Sequence, residues 1–186
     1  MKLFLDTEFT SLTQNSQLIS LALVGESGDS FYAEFDDYDE AHLSDWHKQN
    51  VIAHLSFLDR SKFIDKDNNV VYMKGNSAEV KSQLEVFLDR NEQIEMWGDN
   101  HAYDWVLFCE LWGGALILPK MKSDTEKTQI HYVVRDICTL FELKEKDTNE
   151  PRRNFAGMED SKEFKPHHAL WDAKASMLCY KRLIQL

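Results

Sequence analysis

The stretch LFLDTEFTSL, residues 3–12, sets two carboxylates, Asp6 and Glu8, one residue apart in an otherwise apolar run. On an extended strand alternate side chains share a face, so Asp6 and Glu8 point the same way and Thr7 points opposite. Two like charges at about 4 Å repel by roughly 1 kcal/mol in water and about 4 kcal/mol at an effective dielectric of 20. A divalent cation relieves that repulsion, because Mg2+ and Mn2+ favour hard carboxylate oxygens and keep room for water and phosphate. A solvated strand end accounts for the pair equally well when it is taken alone.

A second acid, Asp104, lies in GDNHAYD, residues 98–104. Asn100 is expected to cap a helix there, placing Asp104 in its first turns beside the end of a strand, where open α/β sheets bind ligands. Asp99 and His101 compete with it, but rank lower as loop or surface residues. The third stretch is KPHHALWDA, residues 165–173. Pro166 excludes its predecessor from the α region, so His167 belongs to a loop at a helix entrance and Asp172 to the helix itself. A loop histidine of near-neutral pKa suits a general base toward water, and a helix-held carboxylate suits a metal. A His-His pair by itself is more often a cap or a solvent-facing pair.

The elements that must position these groups are strands interleaved with helices. Residues 3–6, 17–24 and 31–35 have the apolar density of strands, with a turn at 25–29, and predict a meander. A short helix is expected between 44 and 55 with Ser44 as its cap, and the chain turns polar from 62 to 75. Asn76 and Glu79 form a capping-box signature for a helix running to about Arg90, with Val80, Leu84, Phe87 and Leu88 as its inward stripe. A strand at 94–97 leads to a helix at 102–112 closed by Gly113. A fifth strand is predicted at 130–134, then a helix at 138–143, a polar and partly mobile loop at 147–165, and a last helix from about 168 to 186. This alternation indicates an α/β domain.

Composition narrows the classes further. The chain has 186 residues, 43% hydrophobic and 28% charged, with five tryptophans and eleven phenylalanines, and the expectation is one domain over residues 1–186 with its own core. The apolar runs fall far short of the roughly 20 residues that span a bilayer, and the N-terminus lacks a signal-peptide pattern, so a cytoplasmic protein without a membrane partner is expected. Cys109, Cys138 and Cys179 suggest neither a disulfide framework nor a zinc cluster. A net charge of −11 argues against coating nucleic acid by charge alone. Ten of the 21 basic residues do fall between Lys120 and Lys165, so positive potential is local, although a solvated loop explains that equally.

Together "DTEF", "NHAYD" and "HHALWD" resemble the DEDDh exonucleases of the DnaQ-like superfamily, the histidine standing five residues before the last aspartate. The order of elements fits along the whole chain. "DTEF", the segment "DWHKQNVIAHL" and the small size look most like the compact bacterial and phage exoribonuclease branch typified by a mycobacterial enzyme. The resemblance implies an RNase H-like fold, a mixed five-stranded sheet with one antiparallel strand and helices on both faces.

The resemblance also implies 3′ to 5′ hydrolysis of nucleic acid with a free 3′ end, RNA preferred and DNA possible, releasing nucleoside 5′-monophosphates. Two Mg2+ or Mn2+ ions about 4 Å apart would be held by Asp6, bridging them, and by Glu8, Asp104 and Asp172, with His167 as general base. Proofreading relatives have threonine and glycine after the first glutamate, whereas Phe9, Thr10 and Ser11 stand here. Phe9, Thr10, Tyr103 and Trp105, with Trp171, are the candidate contacts to terminal bases, and Phe9 leads. Arg152 and Arg153, with Lys162 and Lys165, are candidates for holding the backbone, and Asp136 reads as structural. Relatives often dimerise, so a homodimer is possible. An exodeoxyribonuclease of repair or replication and an inactive nucleic-acid-binding module of the same fold are the alternatives.

Overall fold

Strand β1 (Lys2–Phe9) shows how the sequence divides the molecule. Leu3 and Leu5 point into one buried cluster and Phe4 into another, so the alternation of one strand feeds two cores. In the computed structural model, β2 (Leu18–Gly25) and β3 (Ser30–Phe35) follow as the expected antiparallel meander. The structure describes residues 1–67, 69–89, 93–121, 123–124, 127, 129–162 and 164–186. The expected helix end near Arg90 and the basic residue Lys122 lie outside these.

Four further strands complete the sheet: β4 (Phe63–Asp67), β5 (Val70–Gly75), β6 (Glu95–Gly98) and β7 (Arg135–Asp136). The order is β4-β5-β3-β2-β1-β6-β7, seven strands where five were expected. β2 and β4 are the antiparallel members, since β1 pairs parallel with β6, β6 with β7, and β3 with β5. The missed pair is the β4–β5 hairpin, whose edge strand has only Phe63 and an exposed Ile64 before three charged residues and therefore lacks an apolar run. Its turn was legible in principle, because Asn69 adopts a left-handed φ of 69°.

The fifth strand expected at 130–134 is a second correction. Ile130 makes only an isolated bridge to Ile94, and the chain then turns locally, Val133 donating its N–H to His131 Nδ1, before β7 begins at Arg135. The β-branched side chains there are not strand-paired; Tyr132 and Val133 are exposed.

The described residues include six α-helices: α1 (Asp45–Asn50), α2 (Ser77–Leu88), α3 (Ala102–Glu110), α4 (Ile137–Leu143), α5 (Arg152–Phe155) and α6 (Ala169–Leu183). Ser44 and Asn76 cap α1 and α2 as expected; the Asn76–Glu79 capping box follows its spacing, and Ser44 closes a second box with His47. Gly113, at φ 86°, closes the turn after α3. One sheet face packs α2 and α3 through Val80, Leu84, Phe87 and Phe108; the other packs α4, α5 and α6 through Ile137, Phe141, Ala156 and Leu183. Each large apolar side chain buried this way contributes about 1.5–3 kcal/mol. The segment from 147 to 165 is not a free loop, because Phe155, Met158 and Phe164 pack against the second face.

Candidate active site

Because Asp6 and Glu8 continue the face that carries Phe4, they meet α6, whose Leu170 and Ala173 are buried against β2 and β3. Asp172, in the first turn of α6, closes the group. Ligand atoms of Asp6, Glu8 and Asp172 lie within 4.8 Å of one another. The pairing of β1 with β2 shifts register between Glu8 and Phe9, a bulge at the point where the strand leaves its acids. Thr7 faces the other way and receives Asp104 from α3: Asp104 Oδ1 accepts the Thr7 hydroxyl at 2.7 Å and the Thr7 N–H at 2.9 Å. Asp104 thus reaches the strand from the opposite side of the sheet.

These four acids and His167 line one cavity of about 770 Å³. His167 is exposed and holds a left-handed φ of 55°, a conformation that costs a non-glycine residue about 1–2 kcal/mol. Its ring stands edge-on to Trp46 of α1 at 5.0 Å between centroids. The neighbouring His168 does something else. It is buried, stacks on Tyr32 at 4.6 Å, and gives its backbone N–H to Asp172 Oδ2.

The cavity is hostile to uncompensated negative charge. Burial, then the charges of Asp172, Asp104 and Glu8, hold Asp6 well above the usual carboxylate range. Burial, then Asp172 and Asp104, pushes Glu8 up to about 8, and burial takes Asp172 up to about 6. Asp104 is raised by burial despite the two Thr7 bonds that oppose the shift. His167 is lowered by partial desolvation and by His54. Among the described residues no lysine or arginine pairs with any of the four acids. Each close pair of charges costs about 3–4 kcal/mol at an effective dielectric of 20. A set of hard carboxylate oxygens in this state fits a divalent cation of the magnesium type.

The remaining candidates divide. Phe9 lines the cavity and stacks on Tyr103 at 5.7 Å, while Tyr103 itself lies behind it and donates its hydroxyl to Leu12 O. Thr10 is buried, its hydroxyl accepting the Gln17 N–H, and does not reach the cavity. Trp105 stacks on Phe108 against the core, and Trp171 lies under Lys174. Arg152 borders the cavity but its guanidinium is committed to Asp99, at 2.8 and 3.1 Å. Arg153 donates to Met158 O and Glu159 O.

Asn100 is not the cap of α3. It sits at φ 51° and gives its N–H to Asp136, which caps α4. Both ring nitrogens of His101 are buried and have no hydrogen-bond partner among the described residues. Sequence reasoning passed over Trp46, His47 and Leu12, which border the cavity. No local rule marks them in the sequence, where Trp46 reads as one apolar position of a helix; the structure leaves Trp46 and Leu12 50% and 71% accessible.

Comparison with known proteins bears on the same stretch of chain. Two curated relatives, the 3′-5′ exoribonuclease MT2234.1 of Mycobacterium tuberculosis strain CDC 1551 and the 3′-5′ exoribonuclease Rv2179c of strain H37Rv, are each 32% identical over 125 residues, covering 64% of this chain. The match spans 66%, just under two thirds, of those relatives' own length. The RNase domain of the yeast Pop2 protein superposes with a TM-score of 0.64 at 12% identity, covering 99% of this chain and 76% of that one. At that identity the likeness concerns the fold, and it fits the RNase H-like class with seven strands in place of five. The 3′-5′ exoribonuclease Rv2179c-like domain matches residues 1–184, and the chain belongs to that family.

Proposed function

We propose that this protein is a divalent-metal-dependent 3′ to 5′ exoribonuclease that releases nucleoside 5′-monophosphates. One observation carries the reading: Asp6, Glu8 and Asp172, with Asp104 and His167 on the same cavity, form a cluster of acids that no lysine or arginine among the described residues compensates. Family membership supplies the substrate class. Two Mg2+ or Mn2+ ions, held by Asp6, Glu8, Asp104 and Asp172, would neutralise the phosphate and make a water acidic enough to attack at neutral pH. His167, with its lowered pKa, is neutral near pH 7 and accepts a proton from that water. Phe9 offers a ring at the cavity wall, backed by Tyr103, on which a terminal base stacks. Asp99 also bears on Asp6 and Asp172, and its ion pair with Arg152 tempers that repulsion. Lys162 and Lys165, both exposed ahead of His167, remain available to the phosphate backbone.

The test is degradation of 5′-labelled single-stranded RNA and of DNA of the same sequence, with Mg2+, Mn2+ or EDTA. A ladder of RNA shortened from the 3′ end, with mononucleotide 5′-monophosphates and silence in EDTA, is expected. Faster loss of DNA would make it an exodeoxyribonuclease, and intact polymers with both metals would leave a binding module.

A further inference from the structure

His167 is exposed and left-handed, and among the described residues its ring makes no hydrogen bond; such a conformation persists only where neighbours enforce it. The Asp172 carboxylate takes the His168 N–H from within α6, and two further bonds flank His167, one on each side, both from residues 52–57. His54 Nδ1 meets the carbonyl of Pro166 at 2.7 Å, which is the carbonyl of the peptide entering His167. Since that partner only accepts, Nδ1 carries the proton. Ser56 Oγ meets His168 Nε2 at 2.9 Å on the far side.

The segment that supplies both bonds is irregular, a 3-10 turn at Ile52–His54 followed by loop. Its backbone is gripped by the sheet. Glu34 and Lys74 are register partners on β3 and β5. The Glu34 carboxylate, fully buried, accepts the N–H groups of Ser56 and Phe57 as well as the Tyr32 hydroxyl. Lys74 Nζ donates to the carbonyls of Phe57 and Leu58. A buried carboxylate that takes no part in the acid cluster is expensive to keep unless its bonds hold something in place.

We propose that residues 52–57 form a bracket that orients His167, with His54 and Ser56 as positioning residues and the Glu34–Lys74 pair as the anchor. The proposal rests on the reading of His167 as general base. A displacement of the base by about 1 Å is enough to cost on the order of 100-fold in rate.

The experiment compares His54→Ala with His54→Asn, whose amide nitrogen can replace Nδ1, in the wild-type and His167→Ala backgrounds, with Ser56→Ala alongside. On single-stranded RNA with Mn2+, His54→Ala is expected to lower kcat about 10- to 100-fold while KM and Mn2+ affinity stay within about twofold. Ser56→Ala should show the same split, and His54→Asn should recover most of the rate. In the His167→Ala background, His54→Ala should add no further loss. Equal losses in both backgrounds, or no loss in His54→Ala, overturn the bracket.

NMR of the His167 ring protons separates this from a failure of the nuclease reading, because it needs no turnover. The ring-current shift from Trp46 should collapse in His54→Ala and persist in His54→Asn. An unchanged shift in His54→Ala overturns the proposal even if His167→Ala proves fully active.

Discussion

Asp104 is held to β1 by the Thr7 hydroxyl and the Thr7 amide, and the hydroxyl can be removed without changing shape. Thr7→Val leaves Asp104 with one donor fewer against its burial, so its pKa rises further. A hydrogen bond to a charged group is worth about 1.5–3 kcal/mol, so activity at pH 7 should fall at least about tenfold and recover partly toward pH 9. A pH–rate profile checks this, and a loss independent of pH would assign Thr7 a different role. Asp6→Ala should abolish turnover and divalent binding together, whereas His167→Ala should depress turnover and leave calorimetric Mn2+ binding intact. Near-normal activity in Asp6→Ala would sink the assignment. The convergence of several candidate residues on one cavity was legible from local rules, strand alternation for Asp6 and Glu8 and the proline before His167. Thr10 was not legible. Nothing local reveals that its hydroxyl turns inward to receive the Gln17 amide.

At the scale of elements, the Ser44 cap, the Asn76–Glu79 capping box and the Gly113 stop declared α1, α2 and the end of α3 in the sequence, since helix ends are set by side chains a few residues apart. The β4–β5 hairpin and the docking of residues 147–165 were not, because both depend on partners far along the chain. Arg152 illustrates this: a basic residue in a polar stretch, it closes a half-buried bidentate ion pair with Asp99 and lies over Phe141 at 4.2 Å. Arg152→Met keeps the apolar packing and strands the Asp99 carboxylate. The loss should be about 2 kcal/mol. For a chain of this size that lowers the melting temperature by roughly 4–8 °C. Calorimetry with and without Mg2+ should show the deficit shrinking when metal is bound, because Asp99 is among the charges that burden Asp6. A melting temperature equal to wild type would show that the pair does not anchor the segment.

For the whole molecule, the net charge of −11 includes four acids that a bound metal would compensate. Their raised pKa values make the metal-free folded state bind more protons than the unfolded chain, so stability falls as pH rises between each group's unfolded and folded values. His168 opposes this at lower pH. Burial pushes it down to about 4, so its contribution rises with pH up to its ordinary value of 6.5. Above about pH 6.5 that contribution is complete, and Glu8, at about 8, dominates with Asp6. Thermal melts of metal-free protein should therefore shift downward from pH 6.5 to 8, and saturating Mg2+ should flatten the slope. A slope indifferent to metal would separate the acid cluster from metal binding.

The placement of Asp6 and Glu8 on β1 carries a consequence for how the protein comes apart. β1 is paired on both sides, with β2 and β6, and Leu3, Phe4 and Leu5 are essentially inaccessible. Its amides should exchange with solvent only when the whole molecule opens. His167, by contrast, sits on an exposed turn secured by side-chain bonds from His54, Ser56 and Asp172, and its amide should exchange through local openings. One half of the site thus belongs to the last region to open and the other to one of the first. In rising urea, hydrolysis should disappear while the acids still bind Mn2+, leaving a folded, metal-loaded and silent protein before any change in the far-ultraviolet spectrum.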